Sequence, residues 1–156
     1  MGRIKRIDHI AIAVKNLDES IDKFVNILGA EYVGKRVAKL AGSEMRVACL
    51  KLGDVIIGLD EANDPDGFIA KFIEKKGEGV HHLGLEVDNL DEYKRELKQK
   101  GVRIPHEEKV GETRKEILLS PKDLCGVVMQ VIEWRGEDVS SLDERLDRLV
   151  RTWEEN

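Results

Sequence analysis

The sequence of 156 residues is poor in cysteine and aromatic residues, and it has neither a long apolar run nor a surplus of positive charge. Apolar residues nowhere run for the ~20 positions that a membrane-spanning helix needs, and the first residues lack the apolar core of a signal peptide. The 26 Lys and Arg residues are interleaved with 31 Asp and Glu residues, so no basic stripe is left to bind nucleic acid. We therefore expect a cytoplasmic protein that binds neither membranes nor nucleic acid.

The two cysteines, Cys49 and Cys125, do not have the spacing that is typical of metal ligands. Each lies in an apolar run that resembles a strand. Because cytoplasmic thiols stay reduced and cysteine behaves as a small apolar side chain, we expect both residues to be buried thiols without a disulfide.

An internal repeat led by histidine is the most informative feature of the chain. Residues 9–19 and 82–92, which are offset by 73 positions, match at six of eleven positions. Each copy starts with a histidine, His9 or His82, followed by a short apolar run that is typical of a buried strand. The shared Asn-Leu-Asp-Glu that follows is typical of a helix start. The chain is therefore predicted to contain two related modules.

Each module is predicted to form a strand, a helix and three further strands. In the first module the strand covers residues 7–14, the helix 17–29 and the later strands 31–39, 44–52 and 54–60. In the second module the strand covers residues 82–87, the helix 89–100 and the later strands 102–104, 116–120 and 126–133. His106 is placed in an exposed loop by this assignment.

Two helices lie outside the repeat. A short apolar stripe predicts a linking helix over Phe68–Lys76, after a loop rich in Asn, Asp, Pro and Gly. A second stripe over residues 140–154 predicts a C-terminal amphipathic helix, with Ser140 or Ser141 as N-cap and Glu144 in capping-box position. We thus predict one domain over residues 1–135, with modules at 4–62 and 79–135 joined by residues 63–78, and the amphipathic helix within 136–156.

Paired modules that each open on a histidine-led strand resemble the vicinal oxygen chelate superfamily. Within that superfamily, the chain is most similar to the methylmalonyl-CoA epimerases. The similar segments are HIAIAV at 9–14, IAKFI at 69–73 leading into GEGVHH at 77–82, and SPK at 120–122 followed by GVV at 126–128. The resemblance covers residues 7–134 and implies an α+β fold in which the two modules form a curled mixed sheet around a metal cleft.

The resemblance also implies a set of metal ligands. His9 and His82 correspond to the two histidine ligands of the superfamily, and Gln130 corresponds to a ligand that is usually Glu. The remaining ligand position falls on Gly58, which has no side chain to offer. Asp60 lies on the same face of that strand, but a displacement of two residues is roughly 6–7 Å, so the sequence predicts a vacant position.

The function implied by the resemblance is a metal-dependent isomerase that removes a proton alpha to an acyl thioester carbonyl. A divalent ion (Co, Zn, Mn, Ni or Fe) suits two imidazole ligands, with Glu44 as the catalytic carboxylate and Lys122 near a coenzyme A phosphate. The C-terminal apolar stripe and the superfamily's habit of pairing predict a homodimer. Two alternatives remain open at this point: a glyoxalase-type lyase or isomerase acting on a small 2-oxo compound, and a relative that binds small molecules without catalysis.

Overall fold

The predicted order of strand, helix and three strands occurs twice in the computed structural model, which describes residues 2–155 and the side chains of residues 2–153. The first module consists of β1 (Ile4–Val14), α1 (Leu17–Leu28), β2 (Glu31–Leu40), β3 (Ser43–Leu52) and β4 (Val55–Ala62). The linking helix is α2 (Phe68–Lys76). The second module consists of β5 (Gly79–Val87), α3 (Leu90–Gln99), β6 (His106–Val110), β7 (Arg114–Leu119) and β8 (Val128–Trp134). The C-terminal helix is α4 (Leu142–Glu155).

The chain divides into two compact units. The central unit is His9–His81, and the terminal unit combines the residues up to Asp8 with those from His82 onward. In the central unit β1 pairs in parallel with β4, and β3 pairs antiparallel with β4 and β2. In the terminal unit β5 pairs in parallel with β8, and β7 pairs antiparallel with β8 and β6. The predicted α+β class with mixed sheets is confirmed.

The shared Asn-Leu-Asp-Glu motif caps helices α1 and α3 in the same way. The side chains of Asn16 and Asn89 each accept a hydrogen bond from a backbone N–H in the first turn of their helix, at 3.0 Å. A glutamate on the last strand of each module, Glu61 or Glu133, accepts from the N–H of the first helical residue. Since these acceptors satisfy otherwise unpaired N–H groups beside the positive end of the helix, the repeated motif fixes where each helix begins.

Each unit has its own apolar core on the side of the sheet that its helix covers. The core residues of the central unit include Val14, Leu17, Ile21, Ala48, Leu50, Ile57 and Leu59. Those of the terminal unit include Val87, Leu90, Ile117, Leu119 and Val131. Because side chains alternate along a strand, the residues between these core positions point to the opposite face of each sheet. That second face is the one that carries the histidines.

The strand predicted at residues 102–104 is wrong. Val102 and Ile104 pack against the core of the terminal unit as partly buried side chains, but they lie outside the strand ladder. Pro105 has no N–H to donate to a ladder, and β6 starts at the next residue, His106. The placement of His106 in an exposed loop is therefore also wrong: its side chain is 26% exposed and contacts Glu108, 3.1 Å from Nε2 to Oε2.

The prediction for the cysteines is half right. Cys49 is buried in β3, whereas Cys125 is exposed, and neither forms a disulfide. Cys125 lies in a turn rather than a strand, with a φ of +57°. The N–H of Gly126 closes this turn by donating to the carbonyl of Pro121 at 2.8 Å. The apolar run at this point thus contains a chain reversal, and β8 begins only at Val128.

The C-terminal helix forms as predicted and packs against the terminal unit. Ser141 is its cap, since the Ser141 hydroxyl oxygen accepts from the N–H of Glu144 at 3.2 Å. Leu146, Arg148 and Thr152 are buried on one side of α4. Among residues 2–155 there is no helix with the length and apolar character needed to cross a membrane.

Candidate functional site

His9, Gly58 and Asp60 lie on one face of the central unit's sheet. Ala11 of β1 pairs with Gly58 of β4, and Ala13 pairs with Asp60. Because paired residues share a face and side chains alternate along a strand, His9 and Asp60 both project from the face opposite the apolar core. His9 is half-buried, whereas Asp60 is only 3% exposed.

The carboxylate of Asp60 occupies the space next to Gly58. A Cβ atom added to Gly58 would lie 3.8 Å from Asp60 Oδ1. That separation is comparable to the distance from the Cβ of a glutamate to its own carboxylate oxygens. The Asp60 side chain therefore lies closer to Gly58 than the backbone separation of the two positions. The vacancy of the ligand position at Gly58 stays a prediction.

Burial governs the ionisation of Asp60. Removal from water raises the pKa of this carboxyl group from 3.8 to about 7, and the nearby His9 acts in the opposite direction. A carboxylate and an imidazole on one face of the sheet are suitable ligands for a divalent transition metal.

The terminal unit repeats this arrangement with His82 and Gln130. Gly84, two residues after His82 on β5, pairs with Gln130 of β8, just as Ala11, two residues after His9, pairs with Gly58. The strand register therefore makes Gln130 and Gly58 equivalent positions in the two modules. Sequence comparison of the repeats aligns the histidines, but only the strand pairing shows this second equivalence.

Gln130 presents an unsatisfied oxygen on that face. His82 is 3% exposed and Gln130 is 4% exposed. The Oε1 atom of Gln130 is buried without a hydrogen-bond partner, which is costly for a polar atom unless a ligand completes its interactions. An amide oxygen can bind a cation, but it carries no charge and cannot act as a base at neutral pH.

Glu44 and Lys122, the other two predicted site residues, lie in different surroundings. Glu44 is the second residue of β3 and accepts a hydrogen bond from the side-chain amide of Asn63. Val47 pairs with Asp60 and therefore shares its face of the sheet. Glu44 lies three residues before Val47, so the alternation of side chains along the strand places Glu44 on the opposite face. Lys122 lies exposed in the 3-10 turn Pro121–Asp123. The catalytic role of Glu44 and the phosphate contact of Lys122 stay predictions.

His81 is a packing residue of the central unit. Its ring centroid lies 5.2 Å from that of Phe68 and 5.0 Å from that of Phe72, both on the linking helix α2. Burial, assisted by the positive charge of Lys76, lowers the pKa of His81 from 6.5 to about 4. A neutral ring between two phenyl rings therefore joins α2 to the sheet.

The depressed pKa of His81 should make the protein sensitive to acid. The unfolded chain binds a proton at His81 below about pH 6.5, whereas the folded chain does so only below about pH 4, so stability falls as the pH drops through this window. A shift of this size corresponds to about 3 kcal/mol. His81→Phe should lose less stability than the parent protein between pH 7 and pH 4, by about that amount. Urea denaturation at the two pH values measures the difference, and equal losses in both proteins would contradict it.

A second polar cluster, missed in the sequence, holds α4 to the terminal unit. Arg148 of α4 donates to Glu86 of β5 at 2.9 Å and lies 3.5 Å from Asp8. Its guanidinium lies 4.6 Å from the ring centroid of Trp134, whose Nε1 donates to Asp8 at 2.9 Å. Arg6 also pairs with Glu86. We call Arg6, Asp8, Glu86, Trp134 and Arg148 the Glu86 cluster. The spacing of residues in the sequence could not have predicted it, because its members come from four different elements.

The imidazole nitrogens and side-chain oxygens on these faces are the kinds of atom that divalent transition metals bind. Within the described part of the chain, no three side chains of His, Cys, Asp or Glu are grouped closely enough to hold a metal ion by themselves. Gln130 is not one of those four residue types, but its amide oxygen could also bind a cation. This oxygen is buried and has no hydrogen-bond partner. Each unit thus provides one histidine and one buried side-chain oxygen on the same face: His9 with Asp60, and His82 with Gln130.

Comparison with known proteins identifies the family of this chain. Residues 8–118 match the family model described as the glyoxalase/bleomycin resistance protein/dioxygenase superfamily. The chain is 36% identical over 129 residues to the mitochondrial methylmalonyl-CoA epimerase of Bos taurus, covering 81% of this chain and 73% of that protein. It is 32% identical over 132 residues to the ethylmalonyl-CoA/methylmalonyl-CoA epimerase of Cereibacter sphaeroides, covering 82% and 97%.

A solved structure gives the same result. The methylmalonyl-CoA epimerase of Streptomyces coelicolor, in complex with 2-nitronate-propionyl-CoA, superposes with a TM-score of 0.76 at 30% identity, covering 86% of this chain and all of the other. The chain therefore belongs to the glyoxalase/bleomycin resistance protein/dioxygenase superfamily, and within it is a homologue of the methylmalonyl-CoA epimerases.

Proposed function

We propose that this protein is a metal-dependent epimerase acting on an acyl-CoA of the methylmalonyl-CoA type. The observation that carries the proposal is the presence of His9 and His82 at equivalent positions in a chain homologous to such epimerases. The reaction removes the proton alpha to the thioester carbonyl and returns a proton to the opposite side of that carbon.

His9, His82 and Gln130 are the residues proposed to hold the metal. A bound divalent cation would withdraw electron density from the thioester carbonyl and so stabilise the charge that develops when the alpha proton leaves. The two imidazoles add no charge of their own, and the amide oxygen of Gln130 would gain the partner that it lacks. Burial of His82 and Gln130, at 3% and 4% exposure, would exclude water and strengthen these interactions.

The remaining roles rest on the resemblance to the epimerases and not on position, since Glu44 projects from the face of its sheet opposite to that of Asp60. Glu44 is the carboxylate proposed to move the proton, and its hydrogen bond from Asn63 would fix its orientation. Lys122, exposed at the start of the segment before β8, would meet a phosphate of coenzyme A. We also propose that the protein acts as a homodimer.

The direct test is exchange of the alpha proton of methylmalonyl-CoA for deuterium, with protein loaded with Co²⁺. His9→Ala and His82→Ala should each slow exchange by about 100-fold or more, because the developing negative charge loses its stabilisation. His106→Ala is the matched control, since this half-buried histidine on β6 contacts Glu108 and should leave exchange unchanged.

Three outcomes would contradict the proposal. Absence of exchange with a panel of acyl-CoAs would exclude epimerisation. Turnover of hemithioacetals without such exchange would indicate a glyoxalase-type enzyme. Purified protein that contains no metal and does not take up Co²⁺ or Zn²⁺ would indicate a protein that binds small molecules without metal chemistry.

A further inference from the structure

We propose that one face of helix α2 binds the nucleotide end of the coenzyme A substrate, which is an adenosine that carries phosphate groups. The inference rests on the proposed function, because it concerns the far end of the same acyl-CoA. The face combines two phenyl rings with three lysines, and we call it the α2 face: Phe68, Lys71, Phe72, Lys75 and Lys76. Their spacing of three or four residues places these side chains on one side of the helix. The face contacts the ring of His81, the residue that directly precedes the proposed ligand His82.

The α2 face lines a cavity of about 520 Å³ within the central unit. The ring of His81 completes its aromatic wall, with ring centroids 5.2 Å from Phe68 and 5.0 Å from Phe72. The two phenyl rings are only half-buried, whereas Ile69, which anchors α2 to the rest of the unit, is 2% exposed. An aromatic wall that the fold leaves partly open is a surface on which a nucleobase can stack.

The lysines make the same cavity positive in a chain whose net charge is -5. Lys71, Lys75 and Lys76 are exposed, and among the described residues none of them forms an ion pair with a carboxylate. Glu74 also lines the cavity, so the ammonium groups outnumber the carboxylate. The Nζ atom of Lys76 lies 5.7 Å from the centroid of the Phe72 ring. A base stacked on the rings would therefore bring its phosphates to the lysines, which bind phosphate as point charges.

The stability of the helix by itself does not account for the α2 face. Lys75 and Lys76 lie in the last turn of α2, where positive charge suits the negative end of the helix. Lys71 lies near the start, where the same dipole disfavours a cation, and α2 lacks the acidic first turn that α1 and α3 share. This lysine therefore indicates an anion from outside the helix. Coenzyme A carries a ribose 3′-phosphate and a diphosphate, so it provides an anion for Lys122 as well as for the α2 face.

The test is the binding of adenosine 3′,5′-bisphosphate, the nucleotide end of coenzyme A without its pantetheine arm, measured by isothermal titration calorimetry at low and high salt. The α2 variant combines Lys71→Ala, Lys75→Ala and Lys76→Ala. It should weaken binding by about 10-fold or more, because three ion pairs to phosphate are lost. It should also remove most of the dependence of the affinity on salt, since these exposed charges are the ones that salt screens.

The matched control combines Lys23→Ala, Lys98→Ala and Lys100→Ala. These three lysines are exposed on α1 and at the C-terminal end of α3, so the control changes the net charge by the same amount and should bind adenosine 3′,5′-bisphosphate as the parent does. A second probe, 4′-phosphopantetheine, lacks the adenosine. It should bind to the α2 variant as it binds to the parent protein.

Four results would each overturn the inference. They are a parent protein that does not bind adenosine 3′,5′-bisphosphate, a control variant that loses as much affinity as the α2 variant, an equal loss for 4′-phosphopantetheine, and tighter binding of ATP than of coenzyme A, which would assign the face to a free nucleotide. Deuterium exchange is measured separately. Exchange that persists in a protein whose α2 face binds no nucleotide would leave the proposed function standing. Nucleotide binding at the α2 face in a protein that exchanges no alpha proton would refute the proposed function alone.

Discussion

Replacing Glu86 with alanine is expected to lower the free energy of unfolding by about 3–5 kcal/mol, the range for breaking a buried ion pair by removing one partner. Glu86 is 2% exposed and is the shared partner of Arg6 and Arg148. Its removal leaves the guanidinium of Arg148, whose side chain is only 10% exposed, beside Trp134 without its carboxylate at 2.9 Å. Urea denaturation at neutral pH measures the loss.

The matched control for this prediction is Glu137→Ala. Glu137 is exposed, so its replacement should change the free energy of unfolding by less than about 0.5 kcal/mol. Arg148→Ala should reproduce much of the loss seen in Glu86→Ala, and the double variant should lose less than the sum, since both remove one interaction. A loss below about 1 kcal/mol in Glu86→Ala, the size of an exposed ion pair, would show that the cluster does not hold α4.

Replacing Asp60 with asparagine is expected to stabilise the metal-free protein at about pH 8, by up to about 4 kcal/mol. The pKa of Asp60 is raised from 3.8 to about 7 by burial. Between these two values the folded protein binds a proton that the unfolded chain has released, so stability falls as the pH rises from about 4 to about 7. Above pH 7 the folded protein carries the full cost of a buried charge, and asparagine removes that cost.

The comparison at low pH serves as the control. At about pH 4 the Asp60 carboxyl is already neutral in the folded protein, so Asp60→Asn and the parent should differ little. Denaturation curves at both pH values, recorded with a chelator present, separate the ionisation effect from packing. Equal stability at about pH 8 would show that burial does not perturb Asp60.

Several features of the fold could be predicted because their causes are local. The Asn-Leu-Asp-Glu motif marks the starts of α1 and α3, because Asn16 and Asn89 cap whichever helix follows them. The apolar stripe of α2 was predictable for the same reason. The sequence offered Ser140 or Ser141 as the cap of α4, and the structure shows that it is Ser141. The strand at 102–104 and the buried Cys125 were predicted wrongly, because an apolar run alone does not distinguish a ladder strand from packed loop or turn.

The candidate site was predictable only in part. The repeat identifies His9 and His82 because each leads an apolar strand, and the resemblance adds Gln130. The sequence could not show that the Asp60 carboxylate lies beside Gly58, since counting residues along a strand gives backbone separation and says nothing of the direction of a side chain. It also could not show that Glu44 projects from the face opposite Asp60, which depends on the register between β3 and β4.

By itself, the sequence determined the duplicated order of elements, the leading histidines and the helix caps, all of which depend on residues close together in the chain. Only the tertiary structure decided which residues of distant strands are equivalent, where the Asp60 carboxylate lies, and that Glu86 and Arg148 join α4 to β5. The physical reason is that strand register and buried charge pairing depend on contacts between segments tens of residues apart. Such contacts leave no periodic signal in the sequence.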